Sequence, residues 1–356
     1  MTERMLTGGQ AVREALDQAM EKDETVFLMG LGVDDPKGIF GTTAGLAQKY
    51  GPRRVLEPPV AENSMTGIAI GAAITGMRPV LVHQRIDFAI LSMDQIINNA
   101  AKWHYMFGGA TKVPLTIRMI IGRGWGQGPQ HSQSLQAIFM HIPGLKVVMP
   151  FNPYDTKGLL MASIADDNPV IFIEHRWLQN IQGPVPDEPY QIPLGKAKTV
   201  RKGKDLTIVT ISHMVLESLK AADVLEKIGI SVEVVDLRTI KPLDIEHILK
   251  SVKKTGRLIA VDTGYLTGGL ASEICALVSE NSFYDLKAPV RRITLPDYPA
   301  PTSQALIQYY YPTATSIVDA VLEVMRLDIT PKQRELLRIK SNLPCDVPDS
   351  SFKGPF

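Results

Sequence analysis

Pro59-Val60-Ala61-Glu62-Asn63-Ser64-Met65-Thr66-Gly67-Ile68-Ala69-Ile70-Gly71-Ala72-Ala73-Ile74-Thr75-Gly76, followed two residues later by Pro79-Val80-Leu81-Val82-His83, decides the fold. The first part predicts a buried, small-residue helix over 65–76, the second a strand over 79–83. Glu62 carries the only charge between Pro59 and Gly76. A carboxylate at the mouth of an apolar helix is costly unless something there needs it. The plainer reading is an N-terminal charge that serves the helix dipole and its orphan amides.

Working outward, the same helix–strand alternation recurs along the chain. Strands are expected at 26–30, 115–121, 146–150 and 170–173, and helices near 8–20, 42–50, 91–107 and 154–166. Such alternation implies a mostly parallel sheet covered on both faces. Gln182-Gly183-Pro184-Val185-Pro186-Asp187-Glu188-Pro189 reads as a linker by its proline and polar content. A second series follows, with strands at 206–211, 232–237, 258–261 and 290–295 and helices near 214–228, 244–252 and 268–280. The fold class is therefore α/β, with two three-layer α/β domains. The first spans 1–177, a linker 178–202, the second 203–327, and an extended tail 328–356. No internal repeat is visible.

The 356 residues are enough for two cored domains, and the net charge of +1 gives no reason to expect nucleic acid or an anionic membrane as partner. The one basic run, Arg201-Lys202-Gly203-Lys204, reads as a solvated turn. The two cysteines, Cys275 and Cys345, argue for a reducing compartment and against a disulfide framework. With neither a signal-type leader nor an 18-residue apolar run, the expectation is a soluble, cytoplasmic protein.

Several residues could carry chemistry. Gly122-Arg123-Gly124-Trp125-Gly126-Gln127-Gly128 follows a strand but does not match the dinucleotide fingerprint, and suits close approach to a ligand. His131, just beyond it, is placed for acid–base work, or equally for capping or packing. Gln84, Arg85, Asp87 and Phe88 follow the 79–83 strand at the edge where open α/β sheets bind ligands. Phe88 alone would be a core aromatic. Arg85 would clamp a carboxylate or phosphate, or else face a partner from the surface.

Glu62 in P-V-A-E-N-S, Phe88 ahead of Met93-Asp94-Gln95-Ile96-Ile97-Asn98-Asn99, and Q-H-S-Q-S ahead of Pro143-Gly144-Leu145-Lys146-Val147-Val148-Met149-Pro150 occur in this order. Asp166-Asp167-Asn168-Pro169-Val170-Ile171-Phe172-Ile173-Glu174 and Val235-Asp236-Leu237-Arg238-Thr239-Ile240-Lys241-Pro242 continue the series. Over about residues 5–327 the chain resembles the β subunits of thiamine-diphosphate-dependent 2-oxo acid dehydrogenase E1 components, within the transketolase-like group.

The resemblance implies a pyrimidine-binding domain followed by a transketolase C-terminal-like domain. It implies that Glu62 hydrogen-bonds the cofactor's aminopyrimidine ring and favours its imino tautomer, and that Phe88 stacks on that ring. Gln84 and Arg85 fall beside the ring, and His131 matches an active-site histidine that assists proton transfers. Leu115, Ser163, Asp166 and Asn168 fall where some members hold a structural potassium ion. The Gly-Asp-Gly motif that grips the diphosphate through Mg²⁺ is absent from the chain. A separate α subunit must then supply it, giving an α₂β₂ heterotetramer, which some members dock on a lipoyl acyltransferase E2.

Three departures stand out. Val82 replaces a frequent Glu, Arg85 an aromatic or small residue, and Asp262-Thr263-Gly264-Tyr265 an acidic pair. The implied activity is decarboxylation of a 2-oxo acid (or cleavage of acetoin) with acyl transfer to lipoamide. The alternatives are a split transketolase-like carboligase acting on sugar-like acceptors, and a non-catalytic assembly subunit.

Overall fold

The computed structural model of the chain describes residues 4–36, 38–123, 126–339, 343 and 347. It forms two compact units, residues 4–123 with 130–194 and residues 126–129 with 195–339.

The first unit runs β1 (Met5–Thr7), α1 (Gly8–Lys22), β2 (Val26–Gly30), α2 (Leu46–Tyr50), β3 (Val55–Leu56), α3 (Glu62–Ile74), β4 (Arg78–His83) and α4 (Ile86–Ala89). A π-helical turn at Gln95–Ala100 leads into α5 (Ala101–Met106). Then come β5 (Thr116–Ile121), α6 (Gln136–His141), β6 (Lys146–Val148), α7 (Pro153–Ala165), β7 (Val170–His175) and β8 (Gln182–Pro184). The central sheet has the order β6-β7-β5-β4-β2-β3, every adjacent pair parallel. Strands β2, β5 and β7 are buried along their whole length, as sheets covered by helices on both faces must be.

Helix α1 begins where Thr7 and Gln10 form a reciprocal capping box, and its buried stripe of Ala11, Val12, Ala15, Leu16 and Ala19 packs on α7. Asn152 caps α7 by accepting from the Asp155 amide at 2.8 Å. The fully buried Lys157 ties the two helices together, donating to Glu14 at 2.6 Å and to the carbonyls of Pro186, Asp187 and Glu188.

Helix α3 departs from expectation. It starts at Glu62, and it is buried on one face only, through Glu62, Met65, Thr66, Ala69, Ile70 and Ala73. Ile68 on the opposite face is 61% exposed. Lack of charge in a helix signals apolarity, which is not the same as burial within one chain. The helix expected over 91–107 is instead broken into a short turn at Ile90–Ser92, the π-helical turn and α5. The stretch expected as a linker opens with β8, which pairs antiparallel with β1.

The second unit runs β9 (Lys198–Arg201), β10 (Leu206–Thr210), α8 (His213–Glu226), β11 (Val232–Asp236), β12 (Thr239–Lys241), α9 (Ile245–Thr255) and β13 (Leu258–Tyr265). It continues with α10 (Leu270–Ser282), β14 (Arg291–Leu295), α11 (Gln304–Ile307), α12 (Ala314–Met325) and α13 (Pro331–Leu336). Its sheet has the order β14-β13-β10-β11-β9, parallel except for β9. The basic run expected as a turn begins inside β9, where Arg201 pairs with Asp223 and Glu226. Helix α12 was not expected; it buries Ile317, Val318, Val321 and Leu322 in the core. The segment expected as an extended tail contains α13, opened by a Thr330–Gln333 capping box. Cys345 lies outside the described residues, and Cys275 is a buried free thiol whose pKa burial pushes up to about 11.

Candidate active site

The carboxyl ends of β4, β5 and β7 lie side by side, His83 opposite Met119 and Ile121 opposite His175. Most of the candidate residues lie on the loops leaving these ends or on the helix that precedes β4. Glu62 opens the first turn of α3 and is 8% exposed. No hydrogen bond or ion pair reaches its carboxylate among the described residues. Its carboxylate oxygens nevertheless open to the surface of the chain, where a donor from outside it can meet them.

The backbone of Glu62 is held firmly. Thr66 Oγ1 donates to the Glu62 carbonyl at 2.8 Å and lies 3.3 Å from His83 Nε2. With that hydroxyl proton committed to the carbonyl, Thr66 accepts from His83, which assigns the proton of the neutral imidazole to Nε2. Burial lowers the pKa of His83 to about 4, so the ring is neutral at pH 7. His83 Nδ1 then faces inward as an acceptor with no partner among the described residues. Sequence reasoning passed over His83 as an ordinary strand residue. A polar residue at the end of a strand otherwise made of buried apolar side chains was the available signal.

Phe88 and His131 are brought together directly: the rings meet edge to face, centroids 5.4 Å apart at 84°. Both are partly exposed, as is Gln84. Arg85 is not a surface residue: it is 7% exposed, and its Nη1 donates to the carbonyls of Gly122 (3.4 Å) and His131. Asp87 accepts from the Gln133 amide at 3.2 Å and from its side chain at 2.9 Å. Burial outweighs these bonds and the nearby Arg85 charge, leaving the Asp87 pKa raised. Two residues of the glycine-rich loop, Gly124 and Trp125, fall outside the described residues. Within the rest, Gly122 has φ +92° and lies so close to His175 that a Cβ would come within 2.7 Å of that ring.

Leu115, Ser163, Asp166 and Asn168 form a separate corner. The Leu115 carbonyl accepts from the Val170 amide, that of Ser163 from the Asp166 amide, and that of Asp166 from Arg78 at 3.1 Å. Lys146 Nζ binds both Asp166 carboxylate oxygens, at 2.7 and 2.6 Å, and the Asn168 amide donates to the same group. This corner already carries two side-chain cations of its own.

Beyond these residues lies the buried pair Arg118–Glu174, joined at 2.7 and 3.0 Å, with Gln179 adding a bond at 2.8 Å. No group of three or more His, Cys, Asp or Glu suited to a metal occurs among the described residues. No helix among them is long and apolar enough to cross a membrane.

Residues 4–181 match the transketolase pyrimidine-binding domain and residues 195–317 the transketolase C-terminal domain. The chain is 45% identical over 333 residues to the acetoin:2,6-dichlorophenolindophenol oxidoreductase subunit beta of Cupriavidus necator, covering 91% of this chain and 98% of that one. It is 41% identical over 319 residues to the pyruvate dehydrogenase E1 component subunit beta of Rickettsia bellii, covering 90% and 98%. A solved split gene transketolase, described as an inactive beta4 tetramer, shares the fold with a TM-score of 0.74 at 24% identity, covering 90% of this chain and 99% of that one. The relatives' names favour an oxidoreductase over a carboligase. The chain belongs to the transketolase-like family, carrying its pyrimidine-binding and C-terminal domains, in the branch of the E1-type β subunits.

Proposed function

We propose that this chain supplies the pyrimidine half of a thiamine-diphosphate site in an E1-type dehydrogenase acting on a 2-oxo acid or on acetoin. The observation that carries this reading is Glu62: a carboxylate 8% exposed, on an otherwise uncharged helix, with no donor from the described residues. An aminopyrimidine ring nitrogen bearing a proton would suit that carboxylate as a donor. When bound, the cofactor supplies the carbanion that attacks the carbonyl group and stabilises the electrons left by its cleavage.

The chain's own residues hold and aim. Glu62 keeps a proton at the ring nitrogen through a short charge-assisted bond. Phe88 offers a face or edge to the ring and excludes water from it. His131, beside Phe88, gives and takes protons at the substrate carbonyl oxygen and at the acyl acceptor. The neutral His83 keeps a second positive charge away from Glu62 and so leaves that carboxylate's charge for the cofactor. Gln84 is assigned to the rim of this ring site, and Arg85 to the loop carbonyls of Gly122 and His131 behind it.

The diphosphate and Mg²⁺ are assigned to a partner, because no Gly-Asp-Gly occurs in the 356 residues. That partner is an α chain with the motif, in an α₂β₂ assembly of the cytoplasm, with a lipoyl acyltransferase as acyl acceptor. Potassium at Leu115, Ser163, Asp166 and Asn168 would add to a corner already neutralised by Arg78 and Lys146, and no step is routed through it.

The test is Glu62→Gln in the co-expressed complex, assayed with pyruvate and with acetoin against 2,6-dichlorophenolindophenol. Turnover should fall by about 10²- to 10³-fold. Cofactor affinity, followed by quenching of protein fluorescence, should weaken as well. Full activity with unchanged cofactor binding would remove Glu62 from the site.

A further inference from the structure

We propose that Arg85 and Asp87 form a clamp that positions His131 for its proton transfers. The proposal rests on the role given to His131 above. Its geometry is local to one short segment, the Arg85-Ile86-Asp87-Phe88 stretch leaving β4 and opening α4. Three of these four residues touch the segment from His131 to Gln133, each by a different kind of contact.

Arg85 holds the backbone on the His131 side. A single guanidinium nitrogen, Nη1, donates to the His131 carbonyl and to the Gly122 carbonyl, the latter at 3.4 Å. Gly122 directly follows β5, so one group ties the segment to the end of that strand. Asp87 holds the next residues: Oδ1 accepts from the Gln133 amide at 3.2 Å and from Gln133 Nε2 at 2.9 Å. Phe88 meets the imidazole itself, edge to face.

The clamp is buried and pairs opposite charges. The side chains of Arg85 and Asp87 are 9% and 3% exposed, and Arg85 Nη1 lies 4.0 Å from Asp87 Oδ2. Arg85 thus offsets part of the Asp87 charge, while the hydrogen bonds of both go to the loop. Arginine suits this place because its charge is permanent and its rigid planar group holds Nη1 between the two carbonyls; lysine would keep the charge, but its flexible stem would not fix a nitrogen there. Positioning matters because proton transfer needs an approach of about 2.6–3.2 Å, and a displacement of about 1 Å can cost about 10²-fold.

Two measurements test the clamp. The first uses the chain itself: hydrogen exchange of the Gln133 amide in wild type, Asp87→Ala and Asp87→Asn. Asp87→Ala should speed exchange by about 10-fold or more, since it removes a bond to a charged acceptor. Asp87→Asn keeps an oxygen for that amide and should restore most of the protection. Unchanged exchange in Asp87→Ala would overturn the clamp. Should Asp87→Ala not fold, Asp87→Asn and Arg85→Lys are compared instead, and faster exchange is then expected in Arg85→Lys alone.

The second uses the complex with its α partner, with pyruvate and acetoin against the same dye. Arg85→Lys should lower kcat by about 10- to 10²-fold while cofactor affinity stays at the wild-type value. Added to His131→Ala it should cause no further loss. Additive losses would show that Arg85 acts elsewhere and would overturn its positioning role. If His131→Ala has no effect on turnover, the role of His131 fails, while the exchange result still judges the clamp's geometry.

Discussion

Two glutamates of the first unit are almost equally buried and differently equipped. Glu174 is 3% exposed and receives Arg118 in a two-pronged pair plus a bond from Gln179. Glu62 is 8% exposed and receives no donor among the described residues. The first carboxylate is complete within the chain and serves the packing of adjacent strands β5 and β7. The second is left open at the surface of the chain, where water or a ligand can donate to it. Burial alone therefore does not separate a structural acid from a functional one; the donors around it do.

The largest effect expected from this contrast is on stability. Glu174→Ala strands the Arg118 guanidinium in the core and should lower unfolding free energy by about 3–5 kcal/mol. Chemical denaturation measures it, and a loss under about 1 kcal/mol would place Glu174 with Glu62. The reverse holds for Glu62→Ala. Its stability should stay within about 1 kcal/mol of wild type, because no side-chain bond within the described residues is lost. Turnover in the complex should nevertheless fall by about 10²- to 10³-fold.

Acidification sharpens the comparison further. The pKa of His83, beside the Glu62 turn, and of His213, on α8 in the second unit, is lowered by burial to about 4. Each folded-state value lies below the ordinary value near 6.5, so the unfolded chain takes up protons first as pH falls. Their contribution is whole above about pH 6.5 and is lost between there and about pH 4, on the order of 3 kcal/mol for each ring. His83→Leu should remove about half of that loss in denaturation curves taken across this window. An unchanged pH dependence would mean that His83 titrates normally.

The smallest effect serves as a control. Thr7→Ala breaks the α1 capping box at a distance from either glutamate in sequence and function. It should cost about 1 kcal/mol and leave kcat alone.

Most of the scaffold could be read from sequence because it is written in local patterns. The β2, β4, β5 and β7 runs and the α1 and α7 stripes each announce themselves within one window. Glu62, Phe88 and His131 were legible as an ordered set through family resemblance, and their placement follows the carboxyl-edge rule for open sheets. What escaped was non-local. The β1–β8 pair joins segments some 180 residues apart, as Met5↔Pro184 shows. The Asp87–Gln133 contact spans 46 residues. The open face of α3 could not be separated from a buried one, because both are written in small uncharged residues. Helix α12 is a different case: its apolar spacing and Thr313 cap were in plain view and were overlooked.

The π-helical turn at Gln95–Ala100 lies between Phe88 and the aromatic pair of Trp103 and Phe107, whose rings stand 4.8 Å apart. Such a turn holds one residue more than regular α-winding allows. The wider winding takes up that extra residue, so deleting one residue there would let the coil return to α-winding with its flanks close to their present orientation. Trp103 and Phe107 would keep their direction, as would Phe88. The segment can therefore absorb an indel of length one while the ring-binding residues and the aromatic flank both stay in place.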